Sequence, residues 1–157
     1  MTRSKRERSL ATDVGRADEP LVLLHLAFRA VIKEADAHLV LRGFGRVHHR
    51  ILFFIARNPG LRVADLLATL GVSKQALHKP LQQLVHAKLV ENRAEPSDRR
   101  QHRLRLSLSG AKLEKRLSGP QRRLFSAAFR KAGPRAAAGW RMVMRQLGAV
   151  VLGQPPA

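Results

Sequence analysis

Apolar positions in this chain keep a three-and-four-residue step almost throughout and fall into a two-residue step only once. The first helical run is Leu21 to Leu41, where Leu21, Leu24, Phe28, Val31 and Ala35 recur before His38 and Leu39. Pro20 suits its first turn. Gly43 and Gly45 interrupt the chain before a second helix, Arg46 to Arg57. The centre of that helix, Ile51 to Ile55, is apolar nearly all round and predicts burial. Asn58-Pro59-Gly60 is a stop and a turn. A short helix from Val63 to Leu70 turns Val63, Leu66, Leu67 and Leu70 to the core, and Gly71 caps it. Ser73 then caps a helix running from Lys74 to Ala87, with Leu77, Leu81, Leu84 and Val85 on one face.

The two-residue step comes next. Leu89 to Glu95 reads as a strand, and residues 95 to 98 turn the chain. In Arg103-Leu104-Arg105-Leu106 the leucines point inward and the arginines outward. Ser107 caps a helix from Leu108 with a seam of Leu113, Leu117, Pro120, Leu124 and Ala128. Gly119-Pro120 predicts a kink or break in it. Gly133-Pro134 ends that helix and starts a last one, carried by Trp140, Met144, Leu147 and Val151. The expected architecture is mainly α with one small β-hairpin: a core over 46–107 in the order of a winged helix-turn-helix, flanked by helices at 21–41 and 108–151. Those outer helices are too long and apolar for one small module, so their seams call for a second copy of the chain. Residues 1–20 read as a mobile basic arm and 152–157 as a loose tail.

Charge narrows the partner. Thirty Lys and Arg against eleven Asp and Glu give +19 over 157 residues, which favours a polyanion, nucleic acid before acidic membrane. The outer face of the 74–87 helix carries Lys74, Gln75, His78, Lys79, Gln82 and His86 and no acid. In a helix-turn-helix the start of the second helix meets base edges. Gln reads adenine and Lys reads guanine there, and Ser73 with the first backbone N–H groups holds a phosphate. Arg99, Arg100 and Arg103, with His102, cluster near the hairpin tip, where guanidinium groups suit a narrow minor groove. Asp98 orients one of those arginines.

The stretch from Leu84 to Gly110 resembles the signature of the MarR family of winged-helix transcription factors. The family's D-x-R motif matches Asp98-Arg99-Arg100, its L-[ST]-x-x-G matches Leu106 to Gly110, and its L-V matches Leu89-Val90. Helix order is similar over roughly Leu21 to Val151. The resemblance implies a homodimer with interlocked terminal helices, a palindromic operator, and repression relieved by a small ligand. It also makes Arg100 the wing arginine and Asp98 its ion-pair partner. Three residues depart from the pattern. Lys88 stands where a glycine often ends the recognition helix. Asn92 replaces an arginine, with Arg93 next door. Pro80 lies inside the recognition helix, where it frees the carbonyl of Ala76 and predicts a bend or a shorter helix.

Relatives of this type bind aromatic carboxylates or phenols beside the dimer helices. Arg46, His48, His49 and Arg50, at the start of the second helix, are the candidates here for such an anionic ligand; taken one at a time, each is explained slightly better by solvent-facing charge or dimer contacts. His25 and His38 on the first helix can face the same cleft, although lone histidines on apolar faces are usually packed and hydrogen-bonded. No metal site is expected, because no two histidines pair with an acid on one helix face. The absence of cysteine excludes disulfides and thiol redox sensing. No nucleophile motif, phosphate loop or carboxylate pair suggests an enzyme, and no cofactor is expected. No apolar run spans a membrane and no signal peptide is visible, so a cytoplasmic location is expected. Two functions fit: a sequence-specific, ligand-released dimeric repressor on double-stranded DNA, or an architectural or RNA-binding protein that coats nucleic acid without choosing sequence.

Overall fold

The computed structural model describes residues 15–95, 98–151 and 153, with the side chains of all but 95 and 98–101. The basic arm up to residue 14, and residues 152 and 154–157 of the tail, lie outside the described residues. Among the described residues six helices and three strands follow in order: α1 (Glu19–Val40), α2 (Arg46–Arg57), β1 (Leu61–Arg62), α3 (Val63–Leu70), α4 (Lys74–His86), β2 (Val90–Glu95), β3 (Asp98–Leu106), α5 (Leu108–Ala132) and α6 (Pro134–Val151). The chain divides into two compact units, up to Pro120 and from Gln121.

In the first unit the core is one cluster. Ala35 and Leu39 of α1 meet Ile51, Leu52 and Ile55 of α2, Leu66 of α3, Leu77, Leu81 and Leu84 of α4, Val90, Leu104, and Leu113 and Leu117 of α5. Each is at most 8% exposed, so α2 is the hub that its all-round apolar centre predicts. Val85 falls at the rim instead and is 37% exposed. The sheet is antiparallel in the order β1-β3-β2, with Leu61 opposite Leu104 and Val90 opposite Leu106. In β3 Leu104 is buried and Arg105 exposed as expected, while Arg103 and Leu106 are both half-buried. The two-residue β1 was not legible: it is too short for any period, and only its pairing with β3 defines it.

The turn after α4 is built around Lys88. Lys88 adopts φ 55°, the left-handed conformation a glycine would favour. The Lys88 N–H donates to the Val85 carbonyl and the Leu89 N–H to the Leu84 carbonyl, both at 2.9 Å. That is the Schellman pattern. The expected glycine is missing, yet the turn has the same hydrogen bonds and stores the strain in the lysine backbone. Ser107 seals the other side: its Oγ donates to the Lys88 carbonyl at 2.7 Å and accepts from the Gly110 N–H at 3.0 Å. Gly110 runs so close to the Leu89 carbonyl that a Cβ there would collide with it. The serine and glycine of the L-S-L-S-G stretch thus have distinct mechanical duties.

Both internal prolines are absorbed. α4 runs from Lys74 to His86 through Pro80, so it is not shortened. α5 is likewise continuous through Pro120, and the expected break is absent. Each proline forfeits one backbone donor at a cost of about 3 kcal/mol. Leu77, Leu81 and Leu84 hold α4 down across the first gap, and buried Leu113 and Leu117 anchor α5 before the second.

In the second unit Phe125, Phe129 and Trp140 form one aromatic cluster with ring centroids 5.3–5.8 Å apart. Among the described residues no helix is long and apolar enough to cross a membrane.

Candidate nucleic-acid interface

The outer face of α4 is open. Ser73, Lys74, Gln75, His78, Lys79 and Gln82 are all exposed, while the opposite face is buried. Ser73 Oγ accepts from the Ala76 N–H at 3.1 Å, a side-chain N-cap. The N–H groups of Lys74 and Gln75 have no intrahelical carbonyl in helix geometry, so they point outward for an anion. No acid lies in the first turn of α4, so nothing neutralises that end.

A buried histidine fixes how α4 is seated. His48, 7% exposed, accepts the Gly45 N–H at Nδ1, 2.9 Å away. The ring proton therefore sits on Nε2, which donates to Gln83 Oε1 at 2.9 Å. Phe44 stacks on the ring at 4.7 Å. The turn before α2 is thereby tied to α4 one residue from Gln82. A cleft of about 1090 Å³ runs beside this seat, lined by Arg42, Phe44, His78, Gln82, Val85 and Asn92 among others.

The sheet adds a row of cations that sequence reading missed. In β-register Arg62 lies opposite Arg103, and Arg103 opposite Arg93. Like charges directly opposite repel, and each arginine has an offset. Arg62 donates to both Asp65 carboxylate oxygens at 2.7 and 2.8 Å. Arg93 pairs with Glu91 at 2.8 Å. Arg103 donates to the Gly60 carbonyl at 3.3 Å. The hydrogen bond from Arg62 holds the Asp65 carboxyl below its usual range, and the charge of Arg103 adds to this. Arg103, expected near the hairpin tip, is half-buried in mid-sheet. Only the strand register reveals this row. For the tip, the backbone of Asp98, Arg99 and Arg100 lies in β3, and their side chains lie outside the described ones.

The four residues proposed for an anionic ligand point four ways. Arg46 grips Asp36 of α1 through three hydrogen bonds of 2.7–3.2 Å and lies 5.5 Å from the centroid of the Phe28 ring. His48 faces Gln83 of α4. His49, 9% exposed, meets Ser118 Oγ of α5 at 3.0 Å, and burial pushes its imidazole pKa down. Arg50 is exposed. They form no single cationic pocket, because two of them complete hydrogen bonds inside the core. Arg46 borders a groove of about 550 Å³ that also takes in Leu26, Arg29, Ala30, Ile32, Lys33 and Asp36. His25 and His38 do not line it. Nearby, buried Glu114 accepts from Arg57 at 2.9 Å, and the Arg57 guanidinium lies over the Phe53 ring at 3.3 Å.

Comparison with known proteins agrees with this geometry. The family model described as MarR family matches residues 42–101. The HTH-type transcriptional regulator PetP of Rhodobacter capsulatus is 42% identical over 124 residues, 79% of this chain and 75% of that protein. A MarR family regulator from Silicibacter pomeroyi superposes with a TM-score of 0.71 at 17% identity, over 88% of this chain and 93% of that one. The Mycobacterium tuberculosis MarR family protein Rv2887, solved with p-aminosalicylic acid, gives a TM-score of 0.56 at 23% identity, covering 80% and 95%.

Proposed function

Because this chain belongs to the MarR family of DNA-binding transcriptional regulators, we propose that it acts as a homodimeric repressor on a palindromic operator. The observation that carries the reading is the outer face of α4: six exposed polar or basic side chains, no acid, and a free positive helix end. Gln75, His78 and Gln82 supply directional hydrogen bonds to base edges, whereas Lys74 and Lys79 supply charge. A protein that merely coats nucleic acid needs the charge but not the amides, which favours sequence choice. Arg103 stands in the row across the sheet between Arg62 and Arg93, each of which is paired with an acid, and Asp98, Arg99 and Arg100 of the wing are assigned to the groove beside α4.

Dimerisation is supported by apolar surface on the outer helices. Leu21, Leu23, Leu24 and Phe28 of α1 are 48–66% exposed, and Leu147, Val150 and Val151 of α6 are 54–83% exposed. Exposed apolar surface on that scale calls for a cover. For release we assign a small aromatic acid or phenol to the groove along α1, where Arg29, Lys33 and Arg46 supply cations beside apolar walls. The p-aminosalicylic acid bound by Rv2887 is a ligand of that chemistry.

Selection of bound duplexes from a random pool tests the reading. The expected product is a palindrome with half-sites about one helical turn, roughly 34 Å, apart. Repeating the selection with benzoate-type acids should lower recovery. Enrichment of no sequence at all would replace this reading with that of a coating protein.

A further inference from the structure

All eleven carboxylates of this chain lie at or before Glu114, whereas nine of its thirty lysines and arginines follow it. The second compact unit, from Gln121 onward, therefore contains seven cations and no acid. On α6 a 100° step puts Arg141, Arg145 and Arg135 within a sector of roughly 120°, away from Trp140, Met144, Leu147 and Val151. All three are exposed, and no ion pair among the described residues holds them.

Their placement does nothing for the helix itself. Arg135 is the second residue of α6, at the positive end of the helix dipole, and the last turn has no basic residue. Solubility does not explain the pattern either, since mixed signs keep a surface soluble and acids do so better than bases. A one-signed face on a small unit repels itself unless a polyanion meets it.

We propose that the Arg135–Arg141–Arg145 face of α6 binds the phosphate backbone of a second segment of double-stranded DNA, without reading its bases. The three side chains span about 15 Å of helix axis, a length over which a duplex carries on the order of nine phosphate charges. The face shares no residue with α4 or the wing, and a neighbouring duplex held by it leaves α4 free for the operator. The inference does not depend on which operator α4 chooses.

The test uses the full-length protein on an immobilised duplex enriched by selection, with a labelled random-sequence duplex added in low salt. Wild type should retain the labelled duplex. The triple variant Arg135→Gln, Arg141→Gln, Arg145→Gln should retain at least tenfold less, with unchanged occupancy of the immobilised duplex. The salt dependence of retention should become shallower by roughly 2–3 in log–log slope. The triple lysine variant should retain the labelled duplex, because charge and not shape is needed. Unchanged retention by the glutamine variant overturns the proposal. So does capture of wild type by phosphatidylserine vesicles with no retention of the second duplex, which assigns the face to a lipid surface. If the immobilised duplex itself is not occupied, the operator reading fails separately. Direct binding of random duplex then decides, and equal affinity of wild type and the glutamine variant overturns the second surface.

Discussion

The two compact units of this chain differ in how much of a core each closes for itself. Up to Pro120, thirteen apolar side chains from every helix and from the sheet close into one cluster, and among the described residues no buried side-chain polar atom lacks a partner. From Gln121, Ala137 is the one buried apolar residue described, while Trp140, Met142, Val143, Leu147, Val150 and Val151 are 40–83% exposed. The first unit closes a core within a single copy, although Leu21, Leu23, Leu24 and Phe28 of its α1 stay 48–66% exposed; the second unit leaves most of its large apolar side chains exposed. On the dimeric reading proposed above, α4 is seated within one copy while apolar surface on α1 and α6 is left for a second copy, which would separate DNA recognition from association. Changes in the two units should therefore fail in different assays.

The largest expected effect sits under α4. Leu84→Ala removes a fully buried side chain and should cost about 2–5 kcal/mol, read as a lower denaturant midpoint together with lost DNA binding. Leu147→Ser in the second unit should leave that midpoint in dilute protein nearly unchanged, yet weaken the dimer at least tenfold by sedimentation. Equal loss of fold from both variants would abolish the contrast. Gly110→Ala comes next. Its Cβ meets the Leu89 carbonyl, a backbone atom that cannot rotate away, so about 3 kcal/mol of destabilisation is expected in thermal melts.

His49 sets a pH dependence. Burial lowers its folded pKa below the unfolded value near 6.5. Between those two values the unfolded chain binds more protons, so stability is fully present above about pH 6.5 and is lost as pH falls toward the depressed folded value. His49→Gln, which can still reach Ser118, should flatten that part of the stability–pH curve; an unaltered slope would place the titration elsewhere. The smallest expected effect is a gain. Lys88→Gly relieves a left-handed lysine and should stabilise by about 0.5–1 kcal/mol, with operator affinity unchanged.

Most of the fold was legible because helical periods and caps are local. Ser73, Gly71 and Ser107 end or start helices where their side chains or backbone freedom dictate. The family signature was legible in Asp98 to Gly110 for the same reason. What stayed hidden was set by distant partners. His48 and His49 read as a cationic cluster because adjacent residues look alike in sequence, yet one turns to Gln83 and the other to Ser118, 35 and 69 positions away. Pro80 and Pro120 read as interruptions because local chemistry opposes them, and packing on neighbouring turns overrides it. The arginine row across the sheet appears only once the register of β1, β3 and β2 is known.

The central claim is that the acid-free outer face of α4 chooses the operator. The most direct test is the base-preference profile of Gln75→Ala beside that of wild type, from the same selection. The account expects preference to vanish at one symmetric pair of positions and to persist at the others, with affinity for random duplex unchanged. An identical profile from the two proteins would contradict it.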